Sequence, residues 1–136
     1  MRFLVDANVL SEATKPAPDR GVVAWLRANE SQIAVDPIIL GELRFGILLL
    51  RASRKRSDLE RWFAALVQPL QCLTWEAETG LRWAQLLADL RRSGRAMPIK
   101  DSLIAATALV HELVVVTRNR ADFEQAGVRI IDPFQA

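Results

Sequence analysis

The sequence predicts an α/β fold: a three-layer α/β/α sandwich with a mostly parallel, roughly five-stranded sheet. Three observations carry this. Short apolar runs such as Phe3-Leu4-Val5 and Val114-Val115-Val116 stop abruptly at polar residues, as do strands buried on both faces of a covered parallel sheet. Longer stretches with helical apolar spacing separate these runs, giving the alternation of a layered α/β domain. The chain of 136 residues has the length of one such domain, so a single domain over 1–136 is expected.

In order, the first strand is Phe3–Val5, followed by a short helical turn over Val9–Ala13 and the breaker Lys15-Pro16-Ala17-Pro18. Asp19 is positioned to cap a helix to about Asn29, with Val22, Val23, Trp25 and Leu26 as its apolar stripe. Gln32–Val35 reads as a strand. Asp36-Pro37 then combines an N-cap residue with proline at the first helical position, opening a helix to about Ala52. Ser57 is the expected cap of a further helix through Leu66, with Trp62 and Phe63 facing inward. Gln71–Thr74 is the third expected strand. Glu76–Arg92 follows as a helix with Leu81, Ala84, Leu87 and Ala88 at helical spacing, ended by Ser93-Gly94-Arg95. Pro98 opens a helix rich in small residues, Val114–Val116 is the plainest strand, and Asp122-Phe123 lies in a short helix. Gly127 leads into a last strand, Val128–Ile131.

Composition narrows the chemistry. Cys72 is the lone cysteine and His111 the lone histidine, so a disulfide framework is excluded and no zinc spacing exists. Cys72 is expected in the core and His111 at a helix end. The apolar share is 51%, yet no run approaches the roughly 20 residues of a membrane span. The first residues also lack a signal-peptide pattern, so a cytoplasmic globular protein is expected. The net charge of +2 gives no global argument for nucleic acid. Locally, Arg51, Arg54, Lys55, Arg56 and Arg61 form one basic cluster and Arg91, Arg92 and Arg95 another. Such clusters are ordinarily solvated helix faces, with a phosphate-rich partner as the sharper reading.

The candidate chemistry lies in acids that the topology gathers. Asp6 follows the first strand; Thr117, Asn119 and Asp122 follow the valine strand. In a parallel sheet both exits open on one edge, where α/β folds bind ligands. Helix beginnings face the same edge, which brings in Asp101 and, one turn further along, Glu42. Each has a bland alternative: Asp6 or Asn8 as a helix cap, Asp101 as a first-turn anion favoured by the helix dipole, Glu42 on a wet helix edge. Gly41 and Gly46 leave space beside Glu42 for another backbone or a ligand. Carboxylates drawn together raise one another's pKa unless a counter-charge is present. An all-oxygen donor set suits Mg²⁺, with Mn²⁺ as the alternative. Convergence of Asp6, Glu42 and Asp101 closely enough to share a cation is therefore expected.

Four segments, in order and spread over nearly the whole chain, resemble the PIN-domain ribonucleases, specifically VapC-type toxins of toxin–antitoxin pairs. They are Val5-Asp6-Ala7-Asn8-Val9-Leu10-Ser11-Glu12, Gly41-Glu42-Leu43-Arg44-Phe45-Gly46, Asp101-Ser102-Leu103-Ile104-Ala105-Ala106-Thr107-Ala108 and Val116-Thr117-Arg118-Asn119-Arg120-Ala121-Asp122-Phe123. The resemblance implies a metal-dependent endoribonuclease with Asp6, Glu42 and Asp101 as acidic core and metal ligands. It leaves the fourth position between Asn119, as a neutral ligand or water-orienting group, and Asp122, as the charge. Thr117 is implied as a hydrogen-bonding support and Asn8 as a local cap or supporting group. Ala7 departs from relatives that carry a threonine hydroxyl there. A homodimer and a cognate antitoxin that covers the acids are also implied. Leu48, Leu49 and Leu50 are candidates for an antitoxin groove, against core packing. Arg44, Arg51, Arg54, Lys55 and Arg56 are candidates for RNA phosphates, which position a substrate without reading its sequence.

Two other functions compete. A PIN scaffold could bind RNA or a partner without cutting. Asp6-x-Asn8 with Thr117 also faintly resembles aspartate-nucleophile phosphatases of the haloacid dehalogenase type. Those require a late lysine and a late acidic pair; Lys100 is the lysine of the second half, and the pair is missing.

Overall fold

The structure, a computed structural model, describes residues 1–135. Strands β1 (Phe3–Val5), β2 (Ile33–Val35), β3 (Gln71–Cys72), β4 (Val114–Val116) and β5 (Ile130–Ile131) form one sheet in the order β3-β2-β1-β4-β5. All four pairings are parallel, with Phe3 opposite Ile33 on one side and Val114 on the other. The three central strands β1, β2 and β4 are buried at every position, which explains their unbroken apolar sequence. The edge strands are shorter than the sequence suggests, two residues each. Cys72 sits on edge strand β3 and is exposed, correcting its expected place in the core.

The chain moves from β1 through β2 to β3, then returns past β1 to add β4 and β5. With right-handed crossovers, this reversal puts helices α1 (Ala7–Leu10), α2 (Arg20–Ala28), α3 (Pro37–Leu48) and α4 (Arg54–Trp62) on one face. Helices α5 (Ala77–Arg92), α6 (Ile99–His111) and α7 (Arg120–Glu124) cover the other. The strand order reverses between β1 and β4, and the switch point of such a sheet is where a ligand crevice opens.

Caps set the helix starts. The Asp19 carboxylate accepts from the Val22 N–H at 3.0 Å, and the Asp36 carboxylate from the Ile39 N–H at 2.9 Å. Three boundaries or faces differ from the sequence reading. Helix α3 stops at Leu48, not near Ala52, because Ser53 begins the next helix: its hydroxyl accepts from the Arg56 N–H at 3.2 Å. Ser53 thus takes the capping role expected of Ser57, and Arg56 Nη1 donates to the Leu50 carbonyl at 2.9 Å, closing the turn between the helices. Phe63–Val67 then continues α4 as a single wider π-helical stretch, burying Phe63 and Val67. Helix α5 buries Thr79, Leu86 and Leu90, whereas Leu81 is 74% exposed. Both stripes have helical spacing, so periodicity alone does not choose between them. Trp83 helps fix the choice, its indole N–H donating to Ser102 Oγ on α6 at 2.9 Å. His111 ends α6, as expected.

Candidate active site

At the carboxyl edge of β1, the chain passes from buried strand straight into helix α1. Asp6 is its N-cap, with Oδ1 accepting from the Ala7 N–H at 2.8 Å. The cap reading of Asp6 is thus physically true, and it uses only one carboxylate oxygen. Oδ2 accepts from the Thr117 hydroxyl at 2.7 Å, across the switch point from the end of β4. Asp6 is 3% exposed and Thr117 fully buried. Burial raises the Asp6 carboxyl above its ordinary value; the Thr117 bond opposes this and the charge of Glu42 adds to it.

Asn8 ties the two strand exits together. Its Nδ2 lies 3.4 Å from both Asp6 Oδ2 and Thr117 Oγ1, and its Oδ1 accepts from the Arg118 N–H at 3.2 Å. The Asn119 N–H donates to Thr117 Oγ1 at 3.0 Å while the Asn119 side chain is exposed. Asn119 therefore acts here through its backbone, at the start of α7. Asp122, half-buried in the first turn of α7, contributes a charge felt by Asp101.

Asp101 sits in the first turn of α6 and is 7% exposed. Burial is the main cause that pushes its carboxyl up to about 7, joined by the negative charges of Asp6, Asp122 and Glu42, with Lys100 pulling the other way. Asp101 thus feels the charges of three other acids, each carried by a different part of the chain. They do not form a finished cage: no group of three ligating side chains among the described residues is already gathered around a cation-sized point. Glu42 is turned elsewhere. It lies on α3 beside the buried Ile39, Leu43 and Ile47 row, its side chain 25% exposed, and its Oε2 is 3.1 Å from Lys100 Nζ. The expected close convergence of Asp6, Glu42 and Asp101 on one cation position is therefore not preformed. A cleft of about 240 Å³ opens beside Glu42, lined by Asn8, Thr14, Gly46 and Leu59. A Cβ on Gly41 or Gly46 would meet nothing within 4 Å, so the space they leave is open, with no backbone filling it.

Two contributors lie beyond the sequence expectations. Asp36, expected as a cap alone, is fully buried and also accepts from the Thr107 hydroxyl at 2.9 Å. Burial raises its carboxyl, and its negative charge acts on Asp6. The signal for it is Asp36 and Thr107 taken together, since each is polar within an apolar surround. Lys100 is the other, adjacent to Asp101 in sequence and bonded to Glu42 in space.

The basic candidates separate into two groups. Arg44 and Arg56 are engaged by Glu60, at 3.4 and 3.2 Å. Arg51, Arg54 and Lys55 are exposed. Arg54 and Lys55 line a cleft of about 490 Å³ with Lys15, and this cleft shares Thr14 and Leu59 with the one beside Glu42. Leu48 and Leu49 are 50% and 70% exposed, so they are not core residues.

The PIN domain family matches residues 3–128. The chain is 34% identical to the VapC ribonuclease Y4jK of Sinorhizobium fredii, covering 98% of each sequence. It is 32% identical to the toxin FitB of Neisseria gonorrhoeae, covering 97% of this chain and 98% of that one. Its fold superposes on the crystal structure of FitAcB from Neisseria gonorrhoeae with a TM-score of 0.92 at 31% identity, covering 98% and 99%. The DNA-bound VapBC structure from Salmonella typhimurium gives 0.82 at 26% identity, with 98% of each chain covered. The phosphatase reading has no counterpart among these relatives. By sequence profile, relatives and fold alike, the chain belongs to the PIN-domain family, among the VapC-type ribonucleases.

Proposed function

We propose that residues 1–136 act as a single PIN domain: a metal-dependent endoribonuclease and the toxin of a type II toxin–antitoxin pair. The observation that carries the mechanism is the buried Asp101 carboxyl in the first turn of α6, pushed up to about 7 by its burial and by the charges of Asp6, Asp122 and Glu42. Such an edge holds more acid than the Lys100 ammonium offsets. Ribonucleases of this family are generally divalent-metal dependent, and the hard oxygen donors here fit Mg²⁺ first, with Mn²⁺ as the substitute.

Asp6, Glu42, Asp101 and Asp122 are assigned as the catalytic and metal-holding acids. A bound divalent cation supplies Lewis acidity, lowering the pKa of water and offsetting phosphoryl charge during in-line displacement. The protein's part is placement. Thr117 fixes the Asp6 rotamer, Asn8 ties the β1 exit to the β4 loop, and the Asn119 N–H orients Thr117. Asp122 is preferred over Asn119 for the fourth position because its charge reaches Asp101.

The substrate is RNA, with its backbone running from the acids along the joined clefts to Arg54 and Lys55. Lys15, which is paired with Glu12 at 2.9 Å, lies on the same path. Arg51 is kept as an outer contact; Arg44 and Arg56 are assigned a structural part through Glu60. The exposed Leu48 and Leu49, with Phe45 at 63% exposure, support an antitoxin-docking face. A homodimer is proposed from the family. No helix among the described residues is long and apolar enough to cross a membrane, and a cytoplasmic location is proposed.

Purified protein should cut single-stranded RNA when Mg²⁺ or Mn²⁺ is present and stop when the cation is chelated. A non-cutting RNA-binding scaffold would retain RNA under both conditions and yield no fragments.

A further inference from the structure

The acidic edge carries a cation of its own. Lys100 stands in the first turn of α6, directly before Asp101, and its Nζ reaches across to Glu42 Oε2 on α3 at 3.1 Å. Asp6 and Asp36 are held differently, by hydroxyls and backbone N–H groups. Glu42 is thus the member of the set whose carboxylate is held by an ammonium. The pair also has an asymmetry of exposure: the Lys100 side chain is 65% exposed and that of Glu42 25%. The ammonium lies on the solvent side and can swing away without disturbing the core.

We propose that Lys100 is the resident counter-ion of the cation-free site, which Glu42 exchanges for the divalent cation, releasing the ammonium to the RNA phosphate. The inference rests on the metal-dependent ribonuclease reading and deepens it. An ammonium within bonding distance of Glu42 and a dication held by the same carboxylate would repel each other strongly at such separations. Glu42 therefore cannot serve both well. Once released, Lys100 is a compact charge with three donors on a flexible stem, suited to a phosphate oxygen, and it is anchored next to Asp101. Lys100 is a positioning residue in this scheme, acting on cation uptake through Glu42 and on the substrate by charge. Cation uptake at Glu42 therefore requires this contact to open.

Two opposite effects follow for one substitution. Mn²⁺ binding by RNA-free protein, followed by the electron paramagnetic resonance of free Mn²⁺ at fixed ionic strength, measures the first. Lys100→Met should tighten Mn²⁺ binding by about three- to tenfold, the scale of one partly exposed charge, while Lys100→Arg stays near wild type. In a Glu42→Gln background the same Lys100→Met change should alter Mn²⁺ affinity by less than about twofold. The KM for RNA should rise in Lys100→Met more than kcat changes, with circular dichroism confirming the fold. If wild type binds Mn²⁺ and Lys100→Met binds it no tighter, or if the tightening persists in full without Glu42, the counter-ion proposal is wrong and the metal-site reading stands. Wild-type protein that takes up no Mn²⁺ overturns both.

Discussion

The Thr117 hydroxyl donates to Asp6 Oδ2 at 2.7 Å, joining the ends of β4 and β1 across the point where the strand order reverses. Neither residue is near the other in sequence, yet both are fully or almost fully buried. The bond sets the direction in which Asp6 presents its charge and offsets part of the cost of burying it. Removing the hydroxyl leaves a buried carboxylate short of a donor, which costs about 1–3 kcal/mol. Thr117→Val should lower stability by that amount in urea denaturation. It should also reduce RNA cleavage by about ten- to a hundredfold, the usual cost of losing a group that orients a ligand. Thr117→Ser should recover most of both.

Asp101 gives a pH signature. Its carboxyl is raised from 3.8 to about 7 in the folded protein. Between those values the folded chain keeps a proton that the unfolded chain has released. Stability from this group is therefore complete below about pH 4 and is lost as pH rises through about 7. At about 1.4 kcal/mol per pH unit, the loss has an upper bound of about 4 kcal/mol. In chelator, wild type should melt progressively lower from pH 5 to pH 8, and Asp101→Asn should flatten that decline and melt higher than wild type at pH 8. Coincident melting curves for the two proteins at every pH would contradict this origin for the slope. Saturating Mg²⁺ should restore wild-type stability at pH 8, since a ligand of the native state stabilises it.

Asp36 holds the start of α3, and hence the helix carrying Glu42, by two bonds. Asp36→Ala deletes the cap and leaves the Thr107 hydroxyl with the more distant Leu103 carbonyl at 3.4 Å, for a combined cost of about 2 kcal/mol. Asp36→Asn keeps an acceptor for the Ile39 N–H and removes a buried carboxyl whose charge acts on Asp6, so it should cost less than about 1 kcal/mol. Denaturation midpoints of the two variants, compared with wild type, check the order.

The basic residues should divide by function. Arg54→Ala and Lys55→Ala should weaken RNA binding, and each should lower the salt slope of affinity by roughly 0.7, the value for one phosphate neutralised on a single strand. Arg44→Ala and Arg56→Ala should leave that slope near wild type. Their effect should appear as a stability change of no more than about 1 kcal/mol, because each is tied to Glu60 at a partly exposed position. Binding titrations at several salt concentrations, with cleavage suppressed by chelator, separate the two groups.

The central strands are legible in the sequence because burial on both faces writes itself as unbroken apolar residues, in Phe3–Val5 and Val114–Val116 most clearly. The common edge of Asp6 and Thr117 follows from parallel topology alone. Cap chemistry places Asp19 and Asp36 but not Ser53, since Ser53 and Ser57 are equivalent in local sequence and only the tertiary turn at Leu50 distinguishes them. The inward face of α5 is ambiguous in sequence because Leu81 and Leu86 are equally apolar, and packing against α6 selects the second. The Lys100–Glu42 pair is out of reach: the residues are far apart in the chain, and each has ordinary solvent-facing alternatives. Cys72 falls outside the core because β3 is an edge strand, a fact of strand order that the residues around it do not encode.

The acidic site is tested most directly by RNA cleavage with purified wild type, Asp6→Asn and Asp101→Asn in Mg²⁺, the folding of each confirmed by thermal melting. Wild type should give fragments and both variants should lose at least roughly a hundredfold in rate, since each substitution removes an anionic oxygen donor from the proposed metal site. Undiminished cutting by both folded variants would contradict the assignment of these acids.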